Sequence, residues 1–327
     1  MRVRRLVVAV LMATSLMGAS ACAGDDLAED DKNDESSSST PSGDTSGSPD
    51  TSAKGELRLS GQQFDEAALM ASMYELLLDD AGYDVETKLV TSRDIYMNEF
   101  ADGVDVAPEY VGGTIEFLNT TQNGVDAKPL STGDLDETLA AGAKVLKKKG
   151  ITLLDPAEAA DTNAFFVTQE FADEHSVSKL SDLEGETVTL AAHPDCAERL
   201  DCGKGLEEVY GIKLKEILPL GFASAQTFKS VKDDESQLGL TSTTDGSLEA
   251  RGMLLLKDDK AVQPVQNLVP AVSTKFLKAH PDVADVLDPL MAILTTDDLV
   301  ELNGRVTGER QKASDVARDY LEENDLL

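Results

Sequence analysis

The sequence predicts an α/β protein with mostly parallel or mixed sheets. From Glu56 onward, short apolar runs alternate with segments whose apolar residues recur at helical spacing. Glycines and polar turns separate these segments, and no repeat of fixed period is visible. The chain has 327 residues, which is enough for one large domain or two medium ones.

The elements can be assigned in order along the chain. ELRLSG predicts a buried strand, and FDEAALMASMYELLLDDAG predicts a helix that is apolar on one face from Leu69 to Leu77 and stops at Gly82. VETKLV predicts the next strand, followed by a short helix and the run GVDVAPE. LDETLAAGAKVLKKKG predicts a helix because lysines fill its last turn and Gly150 follows it. Further strands are predicted in ITLLD, NAFFVT, TVTLAA, QLGLTST and MLLLKDD, and closing helices in PDVADVLDPLMAILTTDDLVELNG and ASDVARDYLEEN.

The N-terminal residues are predicted to lie outside the globule. MRVRR and the apolar run LVVAVLMATSLM are typical of a signal peptide, since the run is too short to span a core of about 30 Å. ASAC resembles the lipobox of bacterial lipoproteins, which predicts a signal peptide over 1–22 and lipidation at Cys22; ordinary cleavage and secretion is the alternative. Residues 23–55 are acidic, rich in Ser, Gly and Pro and free of aromatics, which predicts a disordered tether. We therefore expect an extracytoplasmic globule anchored by lipid to the outer face of the cell membrane.

Charge and cysteine content narrow the classes of partner. The formal net charge of −32 disfavours nucleic acid and anionic lipid as partners. Cys196 and Cys202 lie close together in PDCAERLDCG, which predicts a disulfide outside the cytoplasm. The alternative is a metal site, for which His193 is the only further ligand nearby.

Motifs for covalent chemistry are missing from the sequence. It contains no G-x-S-x-G elbow, no H-E-x-x-H and no Walker lysine loop. The three histidines, His175, His193 and His280, are far apart along the chain. We therefore expect no catalytic residue, no metal and no cofactor, and predict that the protein is not an enzyme.

The segment GVDVAPEYVGGT resembles the Gly-Asp-x-Tyr-Pro-Glu-Tyr-Thr-Gly-Thr signature of the glycine betaine/choline/carnitine (osmoprotectant) substrate-binding proteins of ABC importers. Further segments are similar to that family in the same order, so that the resemblance covers about 56–327. They are LSGQQFDEAALMASMYELLLDDAGYDVE, TSRDIYMNEFADGVD, DTNAFFVTQEFADEHSVSKLSDL, PDCAERLDCGKGLEEVYGIKLKEI, TSTTDGSLEARGMLLLKDDK, LNGRV and ASDVARDYLEENDLL.

The resemblance implies a two-lobed, periplasmic-binding-protein-like (type II) fold with two crossover hinge strands. Carried over, lobe 1 is 56–161 and 267–327, lobe 2 is 162–266, and the hinges fall near Asp161–Asn163 and Val265–Leu268. The implied function is capture of glycine betaine, choline or a relative in an interlobe cleft. The implied partners are an ABC permease and its ATPase, and the protein is expected to be a monomer.

Candidate ligand contacts follow strand-like runs, because clefts in α/β proteins lie at the carboxyl ends of strands. For Glu109, in the same segment as Tyr110, a structural or hinge role is expected. The candidate ligand-binding residues are Ser60, Gln62, Thr91, Ser92, Pro108, Tyr110, Asn163, Asp195, Thr244 and Asp245.

The sequence departs from the family in its aromatic residues, which commonly enclose a quaternary ammonium group. Ala107 stands where family members commonly have Tyr, QPVQN replaces a proline-proline-tyrosine run, and the chain has no Trp. We interpret these changes as a depleted aromatic cage, which leaves the ligand open. The alternatives are the same fold with another polar solute such as an amino acid or polyamine, a secreted two-lobed hydrolase, and a surface adhesion module.

Overall fold

The computed structural model describes residues 54–100 and 102–327. The predicted signal peptide, the lipidation site Cys22 and nearly all of the predicted tether lie outside these residues. Among the described residues, no helix combines the length and apolar character needed to cross a membrane.

The first sheet contains strands from both ends of the described chain. They are β1 (Gly55–Gln62), β2 (Tyr83–Val90), β3 (Val106–Tyr110), β4 (Ile151–Leu153) and β10 (Leu268–Ser273). Their order is β2-β1-β3-β10-β4. β1 pairs in parallel with β2 and β3, whereas β10 runs antiparallel to β3 and β4.

The second sheet is formed by the middle of the chain. Its strands are β5 (Asn163–Thr168), β6 (Thr187–Ala192), β7 (Lys213–Pro219), β8 (Leu238–Ser242) and β9 (Met253–Leu256). Their order is β7-β6-β8-β5-β9, with β6 parallel to β7 and β8 and with β5 antiparallel to β8 and β9. We call each sheet with its helices the first and the second lobe. The predicted α/β class is confirmed; the lobe boundaries 56–161 with 267–327 and 162–266 stay a prediction.

Helices cover both sheets. On the first lobe they are α1 (Asp65–Asp80), α2 (Arg93–Glu99), α3 (Val111–Asn123), α4 (Leu135–Lys149), α8 (Thr274–Ala279), α9 (Asp282–Ile293), α10 (Thr296–Asn303) and α11 (Ala313–Glu323). On the second lobe they are α5 (Gln169–His175), α6 (Gly203–Glu208) and α7 (Ala225–Lys232). The predicted end of α4 is confirmed, since Gly150 adopts a left-handed conformation there with a φ of 81°.

Strand β10 is buried on both faces, because helices cover each side of the first sheet. Leu268 and Val272 face the core formed with α1, α9 and α11, whereas Val269 and Ala271 face the core formed with α2, α3 and α4. Ala107 of β3 belongs to the second of these cores and is fully buried. Our interpretation of Ala107 as a lost wall of the ligand cage is therefore wrong: a side chain at this position packs in the core.

The second lobe contains the predicted cysteine pair. Cys196 and Cys202 are joined by a disulfide, with Cα atoms 5.2 Å apart, and both are buried in the lobe's core. Among the residues that the structure describes, no group of three or more His, Cys, Asp or Glu side chains is placed to hold a metal ion.

Gly239 of β8 lies against the ring of Phe166, and this contact leads to a first prediction. A Cβ atom at position 239 would lie 2.2 Å from ring carbon Cζ of Phe166, which is fully buried. Gly239→Ala is expected to lower the free energy of unfolding by about 1–3 kcal/mol, the usual cost of overpacking a core. Urea denaturation measures this change. Gly308→Ala is the control, because nothing lies within 4 Å of a Cβ atom there; equal stability of the two variants would show that the Phe166 ring has room to turn.

Candidate functional site

Two chain segments connect the lobes and lie side by side. Ala160 and Asn267 form an isolated antiparallel bridge, and the Asp161 amide donates a hydrogen bond of 3.1 Å to the Gln266 carbonyl. The Thr243 amide, just after β8, donates to the Thr162 carbonyl over 3.0 Å. The crossover segments thus hold the end of β8 next to the first lobe, at the place where the hinges were predicted.

A cavity of about 640 Å³ lies between the lobes, and we call it the interlobe cavity. The first lobe contributes the start of α1 and residues in and after α10, and Asp161 lies on the crossover. The second lobe contributes the loop after β7, part of α7 and the segment that begins at the end of β8. The lining residues are Phe64, Asp65, Glu66, Asp161, Phe222, Ala223, Phe228, Thr241, Ser242, Thr244, Asp245, Gly246, Ser247, Arg251, Asn303 and Thr307.

Glu66 is the most enclosed carboxylate of the cavity, with 5% of its surface exposed. It accepts hydrogen bonds from the Tyr110 hydroxyl over 2.5 Å and from Nδ2 of Asn303 over 2.6 Å. Burial, together with the negative charge of Glu66, raises the pKa of Tyr110 well above its usual value, so Tyr110 remains a neutral donor. Asn303 also donates to the Thr244 carbonyl over 3.1 Å, which links α10 of the first lobe to the second lobe.

Asp161 lies on the crossover with one carboxylate oxygen unpaired. Its Oδ1 atom is buried and has no hydrogen-bond partner, and the same is true of Oδ1 of Asn303. Burial is the main cause that raises the pKa of Asp161 to about 7, and the negative charges of Glu66 and Asp245 act in the same direction. The cavity therefore contains a carboxyl group that takes up a proton near neutral pH when no cation is close.

Asp245 is held by hydroxyl and amide donors of its own lobe. Its Oδ2 accepts from the Thr241 hydroxyl over 2.5 Å, and its Oδ1 accepts from the amide and hydroxyl of Ser247 over 3.0 and 2.6 Å. These bonds fix the orientation of the Asp245 carboxylate at the carboxyl end of β8.

Phenylalanine side chains give the cavity apolar faces from both lobes. Phe64 and Phe222 remain 42% and 37% exposed, a large fraction for this residue type. Phe64 stacks on Tyr110 with ring centroids 6.4 Å apart, and Phe222 stacks on His193 at 6.2 Å. Phe228 is buried beneath the Arg251 guanidinium, 4.2 Å from its ring centroid. Two exposed aromatic faces and several carboxylates are the groups that attract an organic cation.

The comparison with known proteins agrees with this geometry. A family model described as the substrate binding domain of ABC-type glycine betaine transport systems matches residues 55–323. The chain belongs to this family. The predicted family and the two-lobed fold are thereby confirmed, and the chain is a substrate-binding protein of an ABC-type transport system.

Relatives in this substrate-binding family share about a quarter of their residues with the chain. The glycine-betaine-binding protein of Pseudomonas aeruginosa is 27% identical over 289 residues, which is 83% of this chain and 88% of the relative. The glycine betaine-binding protein YehZ of Escherichia coli is 28% identical over 276 residues, or 80% and 89% of the two chains. The structure of apo YehZ matches with a TM-score of 0.68 at 25% identity, covering 83% of this chain and 99% of YehZ.

Two residues predicted from the family resemblance, Thr244 and Asp245, line the interlobe cavity. Tyr110 is not itself a lining residue, but it contacts two that are: its hydroxyl donates to Glu66 and its ring stacks on Phe64. Tyr110 is 8% exposed, so most of its ring is already covered. The contacts of these residues with a ligand stay a prediction.

The structure places the other predicted residues away from the lining of this cavity. Ser60 is buried and donates to the Lys88 carbonyl over 2.6 Å, and Ser92 donates to Asp94 over 2.5 Å. Gln62 ends β1, Thr91 follows β2, and Pro108 lies inside the sheet opposite Pro270. Asn163 donates to Asp201 over 2.9 Å, and the Asp195 side chain is 70% exposed. For these residues, too, a ligand contact stays a prediction.

Sequence reasoning did not select several residues that line the cavity. Phe64 and Glu66 stand in the quoted segment LSGQQFDEAALM, directly before and within the first turn of a predicted helix. A helix start that follows a predicted strand is a common place for ligand contacts, so this position could have identified both residues. Asn303 stands in the quoted segment LNGRV at the end of a predicted helix, whereas Phe222 lies outside the quoted segments and follows no predicted strand.

Proposed function

We propose that this protein is an extracytoplasmic solute-binding protein that captures a quaternary ammonium osmoprotectant, glycine betaine, choline or a relative, in the interlobe cavity. It then delivers the solute to an ABC permease driven by its ATPase. The observation that carries the proposal is the pairing of exposed phenylalanine faces with carboxylates contributed by both lobes. The names of the relatives, which bind glycine betaine or carnitine, support it.

The geometry suits a quaternary ammonium group because such a group has no N–H to donate. It is held by aromatic faces, each contributing about 0.5–2 kcal/mol, and by nearby negative charge. Phe64 and Glu66 belong to the first lobe, whereas Phe222 and Asp245 belong to the second. A ligand that touches both pairs favours the closed arrangement of the lobes, since it has more contacts there.

The remaining features of the proposal come from the sequence. We propose that residues 1–22 direct export, that Cys22 carries the lipid anchor, and that the acidic segment 23–55 tethers a monomeric globule within reach of the permease. The hinges Asp161–Asn163 and Val265–Leu268 and the lobe boundaries belong to the same proposal. The paired crossover segments support it, because Ala160 bridges Asn267 and the Asp161 amide bonds the Gln266 carbonyl within the predicted hinge region.

The aromatic faces provide the test. Phe64→Ala and Phe222→Ala are each expected to weaken binding of the tightest quaternary ammonium ligand about 3–30-fold, the loss of one face–cation contact. Isothermal titration calorimetry with glycine betaine, choline and carnitine measures the affinities. Ile293→Ala is the matched control, since Ile293 is 39% exposed on α9 and does not line the cavity. Unchanged affinity in both Phe variants would contradict the proposed site.

A second candidate ligand is a polyamine, and the charge of the cavity favours it. Four carboxylates line the cavity, and Asp161 and Asn303 each present an acceptor oxygen without a partner. An ammonium group with N–H donors would satisfy such acceptors. Putrescine therefore belongs in the same titration panel; binding of putrescine alone would replace the osmoprotectant in the proposal and leave the binding function in place.

A further inference from the structure

The charges that line the interlobe cavity are strongly unequal. Asp65, Glu66, Asp161 and Asp245 contribute carboxylates, and Arg251 is the one basic side chain among the described lining residues. The Arg251 guanidinium is already engaged: it lies on the Phe228 ring and donates from Nε to the Ser247 hydroxyl over 2.9 Å. Ser247 in turn donates to Asp245. This chain of hydrogen bonds holds Arg251 at the rim of the cavity, where its side chain is exposed.

Two buried oxygens of the cavity have no hydrogen-bond partner. Asn303 is only 8% exposed. Its Nδ2 atom donates to Glu66 and to the Thr244 carbonyl, whereas its Oδ1 atom accepts no hydrogen bond. Oδ1 of Asp161 is likewise buried without a partner. A buried acceptor without a partner is unfavourable, so a ligand that brings a hydrogen-bond donor to it binds more tightly.

We propose that Asp161 is a specificity-determining residue that makes the cavity select a net cation carrying a hydroxyl donor, of the choline type, over a short zwitterion of the glycine betaine type. This inference rests on the proposed function and specifies its ligand. A choline-like ligand brings one positive charge and one O–H group. Glycine betaine brings a carboxylate one methylene away from its ammonium nitrogen and no donor at all, so its negative end enters the same acidic cavity.

Coulomb interactions determine the direction of the preference. The interaction with the cavity carboxylates is favourable for the ligand's ammonium group and unfavourable for a carboxylate on the ligand, and it is stronger inside the protein than in bulk water. Asp161 lies on the crossover between the lobes, so closure around a ligand brings both lobes' groups toward it. Specificity here comes from a repulsive element as well as an attractive one.

The test uses three probes on the full-length chain, titrated calorimetrically at pH 8. Tetramethylammonium compared with glycine betaine isolates net charge, and choline compared with tetramethylammonium isolates the hydroxyl donor. We expect choline to bind at least 10-fold more tightly than glycine betaine and about 2–10-fold more tightly than tetramethylammonium, the worth of one hydrogen bond. Asp161→Asn is expected to reduce the choline-to-betaine ratio at least 10-fold, and Asp161→Glu to preserve its direction.

A proton count separates a direct role of Asp161 from a structural one. The groups that face or surround Asp161 are Glu66 from α1, Tyr110 from β3, Ser242, Thr244 and Asp245 at the end of β8, and Arg251 at the rim. Near pH 7 a bound cation favours the ionised carboxylate, so choline binding is expected to release a fraction of a proton. The release is measured from heats in two buffers of different ionisation enthalpy, and it should disappear in Asp161→Asn.

Each outcome decides. Asp285→Asn on the exposed side of α9 is the matched control and should leave the ratio unchanged. If glycine betaine binds as tightly as choline, or if Asp161→Asn leaves the choline-to-betaine ratio unchanged, the inference is overturned while the proposed function stands. If none of the three probes binds to the folded wild-type chain, the proposed function fails and the inference fails with it.

Discussion

Replacing Arg93 by Met is expected to lower the free energy of unfolding by about 3–5 kcal/mol, because it leaves a buried charge without its partner. The partner is Glu109, whose side chain is 1% exposed. Nε and Nη2 of Arg93 donate to the two carboxylate oxygens of Glu109 over 3.0 Å each. The Tyr96 hydroxyl and the Tyr110 amide also donate hydrogen bonds to the Glu109 carboxylate. Urea denaturation at neutral pH measures the loss.

Arg318→Met is the control for the removal of a positive charge. Nη1 of Arg318 lies 4.0 Å from Oε1 of Glu322 on α11, and both side chains are more than half exposed. Exposed ion pairs of this kind contribute about 0–1 kcal/mol to the free energy of unfolding. The double variant Arg93→Met, Glu109→Gln should recover part of the loss, since it removes the unpaired charge. A loss below about 1 kcal/mol in Arg93→Met would show that water reaches Glu109 once the arginine is gone.

This ion pair explains why two neighbouring residues of one motif have separate roles. Glu109 and Tyr110 are adjacent in GVDVAPEYVGGT, but successive side chains of a strand point to opposite faces of the sheet. Glu109 meets Arg93 of α2, whereas Tyr110 meets Glu66 of α1 beside the cavity. The structural role expected for Glu109 agrees with these contacts.

Much of the fold is readable from the sequence because apolar periodicity and helix-ending glycines are local signals. The helix stop predicted at Gly82 is confirmed, since α1 ends at Asp80 and Gly82 adopts a φ of 95°. One predicted helix near the C-terminus is two helices in the structure. The first ends at Ile293, and Thr295 caps the second, where its hydroxyl accepts from the Asp298 amide and the Asp298 side chain accepts from the Thr295 amide.

Strands β7 and β10 were not predicted from the sequence, and each has a physical reason. β7 is an edge strand with charged, exposed residues such as Lys213 and Glu216, so it lacks the apolar run of a central strand. β10 contains Pro270, which argues against a central strand because proline has no N–H to donate. Pro270 lies opposite Pro108 of β3, so two residues that lack this donor face one another in the sheet.

The candidate site was less predictable than the fold because distant segments form it. The hydrogen bond between Glu66 and Asn303 joins residues 237 positions apart, and a local sequence pattern does not predict such a contact. The misinterpretation of Ala107 has a related cause: the sequence shows which residue differs from the family but not which face of the sheet that residue occupies. Phenylalanines contributed by both lobes give the cavity aromatic faces that do not depend on position 107.

Asp161→Asn is expected to stabilise the ligand-free protein at pH 8 by about 2–4 kcal/mol and to change its stability little at pH 4. The pKa of Asp161 is about 7 in the folded chain, above its ordinary value of 3.8. The folded state therefore binds the proton more tightly than the unfolded state, and Asp161 lowers stability progressively as pH rises from about 4 to about 7. Asparagine has no charge to bury, so the variant escapes this loss. Urea denaturation of both proteins at pH 4, 6 and 8 measures it.

Asp285→Asn provides the baseline for this series, since Asp285 is exposed on α9, outside the cavity. A constant difference between wild type and Asp161→Asn at all three pH values would show that Asp161 titrates as an ordinary solvated carboxylate. The predicted pH dependence would instead mean that the empty cavity holds a charge at the expense of stability. A cation bound beside Asp161 removes that cost, so the same carboxylate that weakens the free protein strengthens its complex with a positively charged solute.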